Sequence, residues 1–211
     1  MIVEVNCETD FAAKDDSFRA FVETVTVNVF DTGNSDIGAL GLEAEREALV
    51  QKIGENISIR RAQVFEEDGR VVEYIHTNGK IGVLIALTGG SEELGRDIAM
   101  HIAAMNTTVV RSEDAPAELV AKEREIYAAQ AEESGKPPEI VEKMIDRRIK
   151  KYLAEISLLE QPFVKDGDTK VGALLEKEGA SVIRFARLEV GEGIEKEEED
   201  FAAEVQKQLG S

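Results

Sequence analysis

Tryptophan is absent from the 211 residues, cysteine occurs once, histidine twice and proline four times. Each scarcity excludes something. A lone thiol, Cys7, can form neither an intramolecular disulfide nor a cysteine metal cluster. His76 and His101 are not in a metal-ligand spacing, which argues against a histidine-based metal site. No GxxxxGK[ST] run is present, so a nucleotide is not held by a phosphate loop of that kind. Gly89-Gly90 precedes a helical pattern, but a bare glycine pair reads as a turn before it reads as a phosphate cradle. Neither a membrane-length apolar run nor a signal-peptide pattern occurs, and the expectation is a soluble, cytoplasmic protein. Positive charge is also short. The formal net charge of −18 repels phosphate backbones, so direct nucleic-acid binding is not expected. The basic cluster Arg147, Arg148, Lys150 and Lys151 reads as one solvated helix face.

What is present is a globular pattern, with 43% hydrophobic and 32% charged residues and the charges interleaved with apolar positions. The opening stretch organises the rest. Ile2, Val3 and Val5 form a short β-rich run, a turn follows at Asn6-Cys7-Glu8-Thr9, and Phe18, Phe21, Val22 and Val25 recur at helical steps. Either Thr9 or Asp15 can cap that helix. Asp10 and Phe11 then stand at the strand-to-helix corner, off the apolar stripe. On these residues alone, a local staple is a better reading of Phe11 than a functional tip.

Further along, residues 31–41 read as a loop and 42–53 as a helix closed by Gly54. A strand over 57–65 turns at 67–69, and 71–75 is its returning strand. Asn78-Gly79 signals a hairpin into the apolar strand 81–87, which should be central and covered. A helix over 92–105 has Leu94, Ile98, Ile102 and Met105 inward. This strand–corner–helix repeats the opening one, which suggests two related subdomains. Pro116 opens a helix running to Glu133, a turn falls at 134–137, and a second helix with its own apolar stripe runs from Pro138 to about Ile156. The pair predicts an antiparallel, coiled-coil-like hairpin projecting from the body. A short helix over 171–177 and a strand over 182–190 complete the second sheet. Phe201, Ala202 and Val205 mark a last amphipathic helix. The fold class is α+β: two related subdomains of small antiparallel sheets with packed helices, plus the protruding helical hairpin. The expected units are a first core subdomain over 1–69, a second over 70–113 and 159–191, the hairpin over 114–158, and a C-terminal module over 192–211.

For the remaining candidate side chains, His101 lies on the buried edge of its helix and reads as a packed, hydrogen-bonded histidine. His76 reads as a solvated turn residue, and Cys7 as a small buried one.

The stretch VEVNCETDFAAKDDSF (3–18) closely resembles the signature of bacterial elongation factor Ts, the guanine-nucleotide exchange factor for elongation factor Tu. KIGENISIRR (52–61), YIHTNGKIGVLIAL (74–87), IAMHIAAMN (98–106), SGKPPEIVEKMIDRRIKKYLAE (134–155), QPFVKD (161–166) and RLEVGEGIEK (187–196) match the same family in the same order. The resemblance implies that Asp10 and Phe11 face the partner's G domain, the ring wedging between side chains near its magnesium site. It implies that His76 touches the same domain. Thr9, Asp10, Phe11, Ala12, His76, Asn78 and Gly79 are thus the expected partner-binding residues, with no catalytic residue, metal or cofactor. Ala12 stands where the family usually has valine. Members normally carry an upstream hairpin strand and a small helical module; neither precedes Ile2 in this sequence, so strand 2–6 is expected to lack a neighbour and a homodimer through its edge is open.

The leading function is nucleotide exchange on elongation factor Tu, in its GDP-bound and nucleotide-free states, by a protein with no chemistry of its own. A carboxylate-dependent hydrolase and a passive coiled-coil adaptor are the alternatives.

Overall fold

The computed structural model describes residues 1–132 and 137–194. The first strand, β1 (Ile2–Asn6), leads through a corner into helix α1 (Asp16–Thr32). The Asp15 carboxylate accepts hydrogen bonds from the Ser17 and Phe18 amides at 2.8 and 3.4 Å, and Gly33 closes the helix in the left-handed region. Phe18, Phe21, Val25 and Val29 are buried along one face, while Val22 is half-buried beside them. Helix α2 (Glu43–Ile53) ends at Gly54, again left-handed, as the sequence predicts. The segment 31–41 is less of a loop than its composition suggests: α1 runs into it, and Ile37–Leu40 forms a 3-10 turn capped by Asp36. Burial of Leu40 and Leu42 under the helices holds that turn in place.

Strand β2 (Ser58–Gln63) pairs antiparallel with β1, so strand 2–6 is not without a neighbour. Together with α1 and α2 this pair encloses one core, in which Ile57, Val25 and Val29 are fully buried. Strands β3 (Arg70–Ile75), β4 (Ile81–Thr88) and β7 (Ser181–Glu189) form a separate antiparallel sheet with β4 in the middle. Here an expectation is corrected. Strand 71–75 does not return along 57–65; residues 64–69 cross from one sheet to the other, because each strand buries its apolar face in a different core.

Both faces of β4 are covered, as its near-continuous apolar run predicts. Val83, Ile85 and Leu87 meet helix α3 (Glu92–Met105) through Ile98 and Ile102. The opposite face, with Leu84 and Ala86 also buried, is approached by β1. Gly82 marks the closest approach: a Cβ there would stand 2.6 Å from Ile2 Cδ1. Ser91 caps α3 by accepting from the Leu94 amide at 3.1 Å. Met105, expected inward, is 40% exposed, because it is the last residue before the left-handed Asn106.

His101 is fully buried and hydrogen-bonded. Its Nδ1 accepts the Val164 amide at 3.1 Å, so Nε2 carries the proton and donates to Gln161 Oε1 at 2.8 Å. Gln161 Oε1 also accepts from the Thr107 hydroxyl, and its amide group donates to the Glu155 carbonyl.

Helices α4 (Ala117–Glu132) and α5 (Pro138–Ile156) pack on one another through Ala131, Ile145 and Ile149, a small core separate from the other two. Arg124 reaches across to Glu142 and Asp146, and Arg148 stacks over the Tyr127 ring. Of the turn expected at 134–137 only Pro137 is among the described residues, and the last helix expected around Phe201 lies outside them. Strands β5 (Pro162–Phe163) and β6 (Asp166–Lys170) form a small hairpin that hydrophobic periodicity does not reveal, and helix α6 (Val171–Lys177) follows. Among the described residues, no helix is long and apolar enough to cross a membrane.

Candidate partner-binding surface

The corner after β1 is built by one carboxylate. Glu55, the residue after the α2 cap Gly54, accepts from the Glu8 amide (3.1 Å), the Thr9 amide (2.9 Å) and the Thr9 hydroxyl (2.6 Å). Thr9 in turn braces the start of a 3-10 turn over Ala12–Lys14, its hydroxyl oxygen accepting from the Ala12 amide at 3.2 Å. Of the two capping candidates, Asp15 is the one that caps the helix beyond, and Thr9 braces the turn before it. The turn throws two adjacent apolar side chains in opposite directions. Ala12 is 3% exposed, whereas Phe11 is 87% exposed. Phe11 is therefore no local staple; it contributes almost nothing to this chain's own core. Cys7 is half-buried rather than buried, its thiol donating to the Thr9 carbonyl, and desolvation, with Glu55 and Asp10 nearby, pushes its pKa up.

A second loop comes to the same place. In the β3–β4 connection the His76 amide donates to the Ile81 carbonyl and the Gly79 amide to the His76 carbonyl, both at 2.8 Å. Gly79 takes a positive φ of 68°, which the turn requires. Asn78 Oδ1 accepts the Lys80 amide at 2.9 Å. His76 is half-buried, not fully solvated, and its Nδ1 lies 3.1 Å from the Tyr74 hydroxyl.

The loops are joined by an ion pair, Lys80 Nζ to Asp10 Oδ1 at 2.8 Å. Its hydrogen bond and charge hold the Asp10 carboxyl below the usual aspartate range and the Lys80 ammonium above its own. Thr9, Asp10, Phe11 and Ala12 are thus brought beside His76, Asn78 and Gly79. The surface they make carries a protruding aromatic ring, a fixed ion pair and backbone turns. Among the described residues, no group of three or more histidine, cysteine or acidic side chains is placed to hold a metal ion.

Residues 8–192 match the family model described as elongation factor TS. The chain belongs to the elongation factor Ts family. The elongation factor Ts of Hahella chejuensis is 59% identical over 212 residues, an overlap covering 99% of this chain and 74% of that protein. That of Teredinibacter turnerae is 55% identical over 216 residues, and that of Marinobacter nauticus 56% over 214, each overlap covering all of this chain and about three quarters of the relative (74% and 73%). For a member of the elongation factor Ts family, reading the residues alone missed Lys80 and Glu55. Lys80 has a weak signal, directly following the Asn-Gly turn. Glu55 has a better one, an acid immediately after a helix C-cap, though nothing local says which amides it will reach.

Proposed function

We propose that this chain promotes GDP release from elongation factor Tu during translation elongation, with Phe11 and Asp10 inserted near the magnesium and phosphate site of the partner's G domain. The observation that carries the reading is the 87% exposure of Phe11 on a corner whose backbone is pinned by Glu55 and tied to the His76 hairpin through Lys80. A large aromatic held out in water on a braced backbone suits insertion into another protein, because the backbone share of its ordering cost is already met.

The mechanism is linkage. A protein that binds the nucleotide-free partner more tightly than the GDP-bound one must weaken GDP by the same factor. A wedge that fits only a distorted phosphate pocket supplies the differential contact. The chain itself makes and breaks no covalent bond. Helices α4 and α5 are, on this reading, a projecting hairpin over 114–158 between the halves of a second subdomain (70–113 and 159–191), with the first subdomain over 1–69 and a C-terminal module from 192. A coiled-coil adaptor without exchange activity is the second reading, favoured by the separate core of α4 and α5.

Release of a labelled GDP from elongation factor Tu, timed with and without this chain, is the test. Faster release with the chain present supports exchange; binding with an unaltered rate favours the adaptor, and GTP or GDP breakdown by the chain alone would revive the hydrolase.

A further inference from the structure

Glu4 is a charged side chain in an unexpected place. It lies in the middle of β1, on the face turned toward the other sheet, and is 3% exposed. Its carboxylate is fully engaged. Oε1 accepts from Arg60 Nη1 at 3.0 Å and from the Gly191 amide at 3.1 Å, and Oε2 accepts from Arg61 Nε. Burial pushes the Glu4 carboxyl up, but the bonds from Arg60, Arg61 and Gly191 outweigh it and hold the group below its ordinary range. Both arginines continue to the same segment at the end of β7: Arg61 donates to the Glu189 carbonyl and Arg60 to the Glu192 carbonyl.

The bond to Gly191 has a consequence at the partner-binding surface. Next to Gly191, the Val190 amide donates to the Lys80 carbonyl at 2.8 Å. Lys80 carries the ammonium that holds Asp10. The connections therefore close a circuit: Glu4 to the end of β7, β7 to the hairpin, the hairpin to Asp10, and Asp10 back along a few residues of chain to Glu4. This circuit couples the position of the corner to that of the hairpin loop.

We infer that Glu4 is a positioning residue for the exchange surface, a buried clamp that sets where Phe11 stands relative to the His76 hairpin by holding β1 to the end of β7. The inference rests on the exchange reading for its functional effect, but its geometry stands apart from it. A wedge acts only if it and the docking loop meet the partner together, and displacement of the order of an ångström costs large factors in such alignments. Glu4 itself touches no partner.

The test is Glu4→Gln, which keeps an acceptor for the Gly191 amide but removes the charge facing Arg60 and Arg61. Exchange is read as the maximal rate of GDP release and as the chain concentration giving half of it. The maximal rate should fall about tenfold or more, with little change in the half-saturating concentration. In a Phe11→Ala background the same change should cost no further rate, because the wedge it places is gone. A role in stability alone would lower the active fraction equally in both backgrounds, and that result would overturn the inference, as would an undiminished rate. A second readout does not need the partner. The Asp10 carboxyl carbon, titrated by NMR, should move back toward the ordinary aspartate range in Glu4→Gln as the hairpin loosens; an unmoved Asp10 titration would sink the clamp whether or not the chain exchanges nucleotide. If wild type fails to exchange while Asp10 moves as expected, the functional reading falls and the clamp stands. Should Glu4→Gln not fold, Arg60→Gln leaves Arg61 on Glu4 and is expected to give the same pattern in weaker form.

Discussion

Lys80 Nζ and Asp10 Oδ1 stand 2.8 Å apart, and this contact joins a corner and a hairpin that are distant in sequence. The pair is open to solvent on both sides, with side-chain exposures of 53% and 70%. Exposed ion pairs contribute little to folding, since water screens them and ordering long side chains costs entropy. Their use here is orientation. Lys80→Ala should leave the thermal midpoint essentially where it is, yet slow GDP release from elongation factor Tu by freeing the hairpin from the corner. The effect should shrink as salt rises, because the wild-type pair is itself screened. A rate that matches wild type at low ionic strength would show that the two loops need no tie.

His101 provides a pH test. Burial lowers its pKa from the ordinary value of 6.5, and the Gln161 bond only partly offsets this. The geometry agrees, because Nδ1 faces the Val164 amide proton and has no room for a proton of its own. The unfolded chain therefore binds a proton more readily than the folded one just below pH 6.5, so stability is complete above that value and declines as pH falls through the folded pKa. Urea midpoints of wild type and His101→Gln should converge on acidification from neutrality toward pH ~5. A constant gap between the two curves would mean that His101 does not titrate differently on folding.

The elements were legible where local chemistry decides them. Asp15 and Gly54 announce helix ends through capping, and the apolar run 81–87 announces a covered strand. What escaped depends on partners far away in sequence. Glu4 looks like the polar residue of an alternating strand, and only the arrival of Arg60, Arg61 and Gly191 explains its burial. Strand β3 follows a plausible turn and looks like a mate of β2 as well as of β4, and only the two separate cores leave it paired with β4 alone. The exposure of Phe11 needed the Glu55 clamp, which periodicity does not encode. The resemblance named the residues of the surface; the physical reason they stand together came from Lys80.

Helices α4 and α5 should be separable from the body. Their core of Ala131, Ile145 and Ile149 shares no residue with the other two cores. The flanking chain is joined independently, with the Thr108 and Val109 amides donating to the Ile156 carbonyl and Leu158 donating to Val109. Replacing residues 118–154 by a short Gly-Ser linker should keep those bonds and leave a cooperatively folding remainder that still binds the partner. Loss of the cooperative transition, followed by circular dichroism, would place the helices in the core instead.

The sharpest contrast is between Phe11 and Phe21. They belong to one stretch of chain and are the same residue type, but Phe11 is 87% exposed and Phe21 only 6%. Phe21→Ala removes a ring from the α1–α2 core, and a buried aromatic truncated this way costs about 3–5 kcal/mol. Phe11→Ala removes a ring already in water, so its unfolding midpoint should stay close to wild type. If the ring is the wedge, the ranking reverses for exchange: Phe11→Ala should slow GDP release substantially while binding through the hairpin is partly kept. Phe21→Ala should act only through the fraction of molecules that remain folded. Asp10→Ala should fall between wild type and Phe11→Ala, since it releases the corner from Lys80 without removing the ring. Wild-type exchange must be measured first as the baseline. Against that baseline, a Phe11→Ala protein that exchanges normally would remove the wedge, and one that unfolds readily would mean that the ring packs on this chain after all.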